Sequence, residues 1–309
     1  MFEEGIYTVL VTPFTIKDEI SYDCLSSLIE RQIDTGVRGI ITMGTTSESP
    51  TITLEEKKKV IEYIWNNYNG KIEIIVGIGG NNTKQVIEFG QYCSKYADGF
   101  MVTVPNYNKP SQNGIFEHFF KIANSHEIKN KPIILYNIPS RCGVNMLPET
   151  IINLRKTCNN IIAIKEASGS IEQTIQIKMG CDINIFSGDD ALLLPLMSVG
   201  AVGVISVTSN LIPEYLVSIV NLCLENKFLE GRDQYLKIHN LIKSLFSDTN
   251  PIPLKYLLEK LNIIQNSNVR LPLLKIESND IQQTLNSMLT IINSINNNFT
   301  KYNGKLQSN

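Results

Sequence analysis

The stretch Asn160-Ile161-Ile162-Ala163-Ile164-Lys165-Glu166-Ala167-Ser168-Gly169 decides how the rest of the chain is read. Residues 161–164 are apolar and β-favouring, the composition of a strand buried on both faces, and they deliver a lysine at the strand's carboxyl end. Gly169 and Ser170 then turn the chain into a polar, helix-like segment. Burial penalises an ammonium more than the neutral amine, so a lysine placed there tends to lose its proton. A deprotonated lysine is the side chain that forms Schiff bases with carbonyl compounds. A strand-end lysine that simply reaches water is the commoner case. This stretch alone leaves both readings open.

Similar runs recur on either side, at 6–11, 39–43, 72–77, 99–104, 132–136, 183–187 and 202–206. With 161–165 they alternate with helix-like segments at a spacing of roughly 30 residues, which predicts a parallel sheet closed into a (β/α)8 TIM barrel. Leu25, Leu28, Ile29 and Ile33 form one apolar face at helical spacing, with Gly36 as a stop. Thr53-Leu54-Glu55-Glu56 has the pattern of a capping box opening the next helix, whose core face is Val60, Ile61, Ile64 and Trp65. Thr83 and Ser111 are expected caps, and Pro148 and Pro213 stand where first-turn prolines belong. From Pro213 the pattern is helical, at 228–247, 255–261 and 281–295. The expected organisation is a catalytic barrel over 1–227, a C-terminal helical domain over 228–295, and a polar, Asn-rich tail over 296–309 that frays.

Composition excludes several classes. The 309 residues are 43% hydrophobic and 19% charged with a net charge of −2, which fits a globular chain and offers no basic surface to nucleic acid. Lys57-Lys58-Lys59 reads as a solvated helix face. Six cysteines without a CxxC pair argue against zinc and disulfides and for a reducing cytoplasm. The most apolar stretch, 191–207, is broken by Pro195, Ser198, Gly200 and Gly203 and is shorter than the ~20 residues a membrane span needs, so it reads as a helix followed by a strand.

In such a barrel the chemistry lies at the carboxyl ends of the strands. After the second strand, Gly44-Thr45-Thr46-Ser47-Glu48-Ser49 offers hydroxyls and backbone N–H groups as a carboxylate cradle, or merely a turn that caps a helix. After the fourth, Tyr107 stands between Pro105 and Pro110, either a stiffly held proton relay or a packed aromatic. After the fifth come Tyr136, able to pass protons, and Arg141, able to grip a carboxylate. After the seventh, Ser187-Gly188-Asp189-Asp190 is either a metal site or a helix N-cap, the latter being commoner without a histidine. Assembled at one pocket mouth, these groups supply what a Schiff-base lysine requires: an acid/base, donors for a keto-acid carboxylate, and a cation for an anionic second substrate. Gly77-Ile78-Gly79 lacks the third glycine and downstream acid of a dinucleotide site.

Seven blocks in this order resemble the dihydrodipicolinate synthase branch of the pyruvate-dependent class I aldolases, the family that includes N-acetylneuraminate lyase. They are Gly44-Thr45-Thr46, Tyr107-Asn108-Lys109-Pro110, Tyr136-Asn137-Ile138-Pro139-Ser140-Arg141, Ile164-Lys165-Glu166-Ala167, Ser187-Gly188-Asp189-Asp190, Gly203-Val204-Ile205-Ser206 and Asn250-Pro251-Ile252-Pro253. Arg141 and Lys165-Glu166-Ala167 point to that branch, since the neuraminate lyases usually carry an apolar residue where Arg141 stands. The resemblance implies a lyase that condenses pyruvate with L-aspartate-4-semialdehyde, the entry to diaminopimelate and lysine synthesis, without metal or organic cofactor. It implies Lys165 as the Schiff-base residue, Tyr136 as acid/base, and Thr45 linking Tyr136 to a Tyr107 that reaches in from a neighbouring subunit. Thr46 would hold the pyruvate carboxylate, Gly188 and Ile205 would line the site through carbonyls, and Arg141 would bind the semialdehyde carboxylate. The implied assembly is a homotetramer, a dimer of dimers.

Three positions depart from the family pattern: Ser47 for a glycine, Cys142 for a common threonine, and Asn106 for an aromatic at the dimer interface. Positions where lysine-inhibited members bind lysine carry Ser49, Leu54, Lys57, Asn81, Gln85 and Asn106. Gln85 lacks the carboxylate that would meet the ligand's ammonium, and Lys57 adds a like charge. Exchanging an ion pair for repulsion at a partly desolvated site costs on the order of several kcal/mol, so weak or absent inhibition by lysine is expected.

Overall fold

Eight strands pair in sequence order, all parallel: β1 (Gly5–Val9), β2 (Gly39–Thr42), β3 (Glu73–Gly77), β4 (Gly99–Thr103), β5 (Ile133–Asn137), β6 (Ile161–Glu166), β7 (Asn184–Ser187) and β8 (Gly203–Ser206). The computed structural model describes residues 2–306, with side chains as far as Ile295. β8 pairs back onto β1 from Gly5–Gly203 to Thr8–Ser206 and closes the barrel. At that seam a Cβ on Gly203 would lie 1.8 Å from the Gly5 carbonyl oxygen, so the closure admits no side chain. Every strand falls within two residues of its expected bounds.

Alternation along the strands separates two cores. Tyr7, Val9, Ile41, Ile75, Met101, Ile134, Tyr136, Ala163, Phe186 and Ile205 pack together inside the barrel. Their neighbours in sequence, such as Ile6, Ile40, Ile74, Phe100, Leu135 and Ile164, pack outward against the helices. β6 carries an irregularity: Ile133 pairs with Ile161 but Ile134 pairs with Ala163, leaving Ile162 as an extra residue. A one-residue slip moves every later side chain to the opposite face. Without the bulge Tyr136 would pair with Ile164 and Lys165 would face the helices; with it Tyr136 and Lys165 are register partners.

The surrounding helices are α1 (Tyr22–Ile33), α2 (Leu54–Tyr68), α3 (Thr83–Cys93), α4 (Gln112–Ala123), α5 (Pro139–Cys142), α6 (Pro148–Thr157), α7 (Ile171–Gly180), α8 (Leu193–Ser198) and α9 (Pro213–Leu224). The capping box at α2 is formed: Glu56 N–H donates to Thr53 Oγ1 (3.3 Å) and Thr53 N–H to Glu56 Oε2 (2.9 Å). Ser111 caps α4, and Pro148 and Pro213 open α6 and α9. Thr83 is not a cap. Asn82 accepts from Lys84 and Gln85 N–H at the start of α3, and Thr83 instead pairs its hydroxyl with His118 Nδ1 at 2.8 Å. Nor is Lys57 a freely solvated lysine: it is half-buried with its ammonium 5.9 Å from the Phe89 ring centroid.

Three helices follow, α10 (Phe228–Ser244), α11 (Ile252–Lys260) and α12 (Asn279–Leu306); α10 packs on α9 and α12 on α10 and α11. The backbone of α12 continues to Leu306, eleven residues beyond the expected helix end at 295, because no proline interrupts it. The remainder of the expected tail, 307–309, lies outside the described residues. No described helix is long and apolar enough to cross a membrane.

Candidate active site

Lys165 is 4% exposed at the end of β6. Its Nζ lies 4.4 Å from the centroid of the Tyr136 ring and makes no hydrogen bond or ion pair among the described residues. Burial brings its pKa down to about 8, against the attraction of Asp190 and Asp189 and with the repulsion of Arg141. Near neutral pH roughly a tenth is therefore the nucleophilic amine, far more than for a lysine at the ordinary pKa of roughly 10.4. Tyr136 is also buried, which holds its phenol well above the usual tyrosine range; Arg141 and a hydrogen bond with Thr45 act against that rise. The phenol stays protonated, with its ring beside the amine and Thr45 close by. That is the arrangement of a proton carrier.

Buried networks fix the strand ends that carry these groups. The Glu166 carboxylate accepts from Asn137 Nδ2, Gln173 Nε2 (3.0 Å) and Ser168 N–H (2.6 Å), which locks the backbone beside Lys165. Asp190 Oδ2 accepts from the N–H groups of Val207 and Thr208 and the Thr208 hydroxyl, each at 3.0 Å, and so ties the end of β7 to the end of β8. Asp189 caps a short 3-10 turn through Ala191 N–H. The Asp pair thus takes the capping and bracing roles. Gly188 lies so near β6 that a Cβ would come within 3.0 Å of Lys165 Cγ, and Ile205 is buried on β8.

After β2, Thr45 is half-exposed and Thr46 buried, its Oγ1 accepting from Asn250 Nδ2 at 3.0 Å. Ser47 is put to use: its hydroxyl donates to Leu10 O (2.7 Å) and its carbonyl accepts from Thr12 Oγ1 (2.8 Å), pinning the turn to the end of β1. Cys142 is buried with Sγ 3.2 Å from Val104 O, and burial pushes its thiol up to about 11, so it packs instead of reacting. Arg141 on α5 is exposed and lines, with Thr45, Ser49, Lys57, Asn81 and Asn106, a cavity of about 490 Å³ whose described wall holds no carboxylate. The structure therefore gathers Lys165, Tyr136, Thr45 and Arg141. Tyr107 stands apart from these buried groups, 85% exposed and with φ +69°, on the loop between β4 and α4.

Residues 3–304 match the Dihydrodipicolinate synthetase family. The chain belongs to that family. It is 42% identical to 4-hydroxy-tetrahydrodipicolinate synthase of Methanococcus aeolicus over 89% of this chain and 94% of that one. The 4-hydroxy-tetrahydrodipicolinate synthase structure from Methylacidiphilum fumariolicum SolV superposes with a TM-score of 0.91 at 38% identity, covering 94% of this chain and 96% of that one. The enzyme of Cyanidioschyzon merolae with lysine bound gives 0.90 at 37%, covering 94% and 98%. Family membership makes the chain a lyase of the class I aldolase type, as the strand-end reading expects.

Two features went unread in the sequence. The first is the grip of the helical appendage on the Thr45–Thr46 turn, through Asn250 and through a buried ion pair between Lys255 and Glu48. Asn250 was legible as part of a family block, whereas nothing local joins Glu48 to Lys255. The second is Glu88. A cavity of about 620 Å³ between α2 and α3 collects Leu54, Lys57, Asn81 and Gln85, and it also holds Glu88, paired to Lys84 at 3.8 Å.

Proposed function

We propose that this chain condenses pyruvate with L-aspartate-4-semialdehyde to give 4-hydroxy-tetrahydrodipicolinate. The observation that carries the reading is Lys165, buried, unpaired and in register with Tyr136. Lys165 Nζ adds to the keto carbon of pyruvate, and loss of water from the carbinolamine gives the Schiff base. Tyr136 gives and takes the protons of that step and of enamine formation. The enamine carbon then attacks the aldehyde, which leaves a hydroxyl at that carbon, while Arg141 at the mouth holds the second carboxylate. The semialdehyde's own amine next adds to the Schiff-base carbon and displaces Lys165 as the free amine, closing the ring of the product. Thr46 and the adjoining backbone hold the carboxylate of pyruvate, with Gly188 and Ile205 closing the wall.

Tyr107 completes this site from a neighbouring subunit of a homotetramer, and the reaction runs in the cytoplasm. A tyrosine with 85% of its surface exposed, and so not packed into its own barrel, suits a residue that works in trans. Weak inhibition by lysine remains our reading, because Lys57 faces the α2–α3 cavity; Glu88, already paired to Lys84, offsets that charge only in part. Half-inhibition at sub-millimolar lysine would overturn it.

The test of the reaction is product formation from pyruvate and the semialdehyde, coupled to reduction of the product, with cleavage of N-acetylneuraminate as the comparison. Turnover of the semialdehyde alone is expected. Cleavage of the sugar acid instead would favour a neuraminate-lyase reading, against which Arg141 stands.

A further inference from the structure

We propose that Asn250, in the segment leading into α11, is a positioning residue that fixes which way the Thr46 hydroxyl points. The buried Glu48–Lys255 pair holds the two partners in place. The proposal rests on the pyruvate reading above, in which Thr46 holds the keto-acid carboxylate.

Thr46 and Asn250 are 204 residues apart and both buried, with Nδ2 donating to Oγ1 at 3.0 Å. A hydroxyl has one O–H and two lone pairs. Because the amide occupies a lone pair, the proton must point elsewhere, and no described residue accepts it. A carboxylate can only accept, so this is the proton it needs. The reversed amide would take that proton for itself and leave Nδ2 as a buried, unpaired donor. In the observed orientation the atom without a partner is Asn250 Oδ1, and an under-satisfied carbonyl is the better tolerated of the two. The direction of the amide and the availability of the Thr46 proton are therefore one property.

The appendage grips the same turn a second time. Glu48 has φ +57°, a conformation that a residue with a side chain holds only when its surroundings over-determine it. Lys255 Nζ meets Glu48 Oε1, while Arg270 N–H donates to Oε2 at 3.0 Å. Lys255 also donates to Asn268 O at 2.8 Å. Residues 46 and 48 are thus both held by the helical appendage, and the appendage becomes part of the active site without touching a substrate.

The experiment measures how borohydride trapping on the full-length protein depends on pyruvate concentration, for wild type, Asn250→Asp, Asn250→Ala, Thr46→Val and the Asn250→Ala/Thr46→Val double variant. KM for the semialdehyde and the melting temperature are read alongside. Asn250→Asp turns the donor into an acceptor that captures the Thr46 proton, so half-saturating pyruvate should rise on the order of tenfold or more. KM for the semialdehyde should stay within twofold or so, since charge-assisted contacts elsewhere are untouched. In the Thr46→Val background Asn250→Ala should add nothing further. Independent, multiplying effects of the two changes would overturn the proposal, as would wild-type saturation in Asn250→Asp. If Asn250→Asp fails to fold, the cycle with Asn250→Ala decides alone. Absence of trapping in the wild type would sink the pyruvate reading itself; its presence with unaltered saturation in the variants would sink only the positioning role.

Discussion

Among the described residues two lysines are buried, and their environments differ in one respect. Lys165 at the end of β6 and Lys255 on α11 are 4% and 0% exposed, and burial pulls both pKa values down to about 8. Each ammonium lies over an aromatic ring, 4.4 Å from the centroid of Tyr136 and 4.1 Å from that of Phe14. Lys255, however, meets the Glu48 carboxylate and the Asn268 carbonyl, whereas Lys165 meets no acceptor among the described residues. Burial and a depressed pKa do not by themselves mark a nucleophile. An amine becomes one when its lone pair is left uncommitted and a proton carrier stands beside it. A buried amine with a full set of acceptors is a tether.

The sharpest way to break this comparison is to remove each amine in turn. Lys165→Ala should abolish trapping of pyruvate by borohydride while leaving the melting temperature near wild type, as measured by labelled-pyruvate incorporation and calorimetry. Trapping that persists at full stoichiometry on another lysine would erase the distinction. Lys255→Met should do the opposite: the folded fraction still traps pyruvate, but stability falls by about 3–5 kcal/mol, because Glu48 is left buried and unpaired. Denaturant titration reads the loss, and Glu48→Gln/Lys255→Met should recover part of it. A double variant no more stable than Lys255→Met alone would mean that the charge pairing is not what matters there.

Arg141 acts on one lysine only, and this sharpens the contrast. On the proposed reaction Arg141→Ala should spare pyruvate trapping but lower kcat/KM for the semialdehyde roughly ten- to a hundredfold, the worth of a charge-assisted carboxylate contact. The sign of its effect on pH dependence follows from charge. Arg141 repels the Lys165 ammonium, so the neutral amine that attacks pyruvate is favoured while the guanidinium is present. Trapping should rise with pH through about 8 in the wild type and with a more alkaline midpoint in Arg141→Ala. A midpoint that moves the other way contradicts the assignment.

Much of the first region was legible and little of the second. The eight strands and the capping box at Thr53 follow from local patterns, and Lys165 and Tyr136 follow from being the polar residues at strand ends. Their sharing one face did not follow, because it depends on the extra residue at Ile162, and a bulge leaves no mark in a run of isoleucines. Asn82 and Thr83 are both competent caps; the choice was made by His118, 35 residues on, which takes the Thr83 hydroxyl. Glu48 and Lys255 read singly as a turn acid and a helix base. Their pairing is a property of the tertiary fold, since 207 residues separate them.

The smallest expected effect tests whether the Lys255 region is one electrostatic unit. Arg270, whose N–H holds Glu48, also grips Glu56 through two contacts, Nη1–Oε2 at 2.8 Å and Nη2–Oε1 at 2.6 Å. Glu56 is at the same time the carboxylate partner of Thr53 in the capping box, at the third position of α2. Its carboxyl is held down to about 2, first by the hydrogen bond from Arg270, against an ordinary value of 4.5. A carboxyl depressed in the folded state stabilises it fully above the unfolded value, and the contribution is lost as pH falls through the folded one. Glu56→Gln keeps the shape and a cap acceptor but has no charge to lose. Its stability should sit slightly below wild type at neutral pH, and the two curves should converge as pH falls from about 4.5 toward 2. Parallel curves in acid denaturation would show that Arg270 serves the Lys255 tether without drawing on Glu56, and the grip on Glu48 would then stand alone.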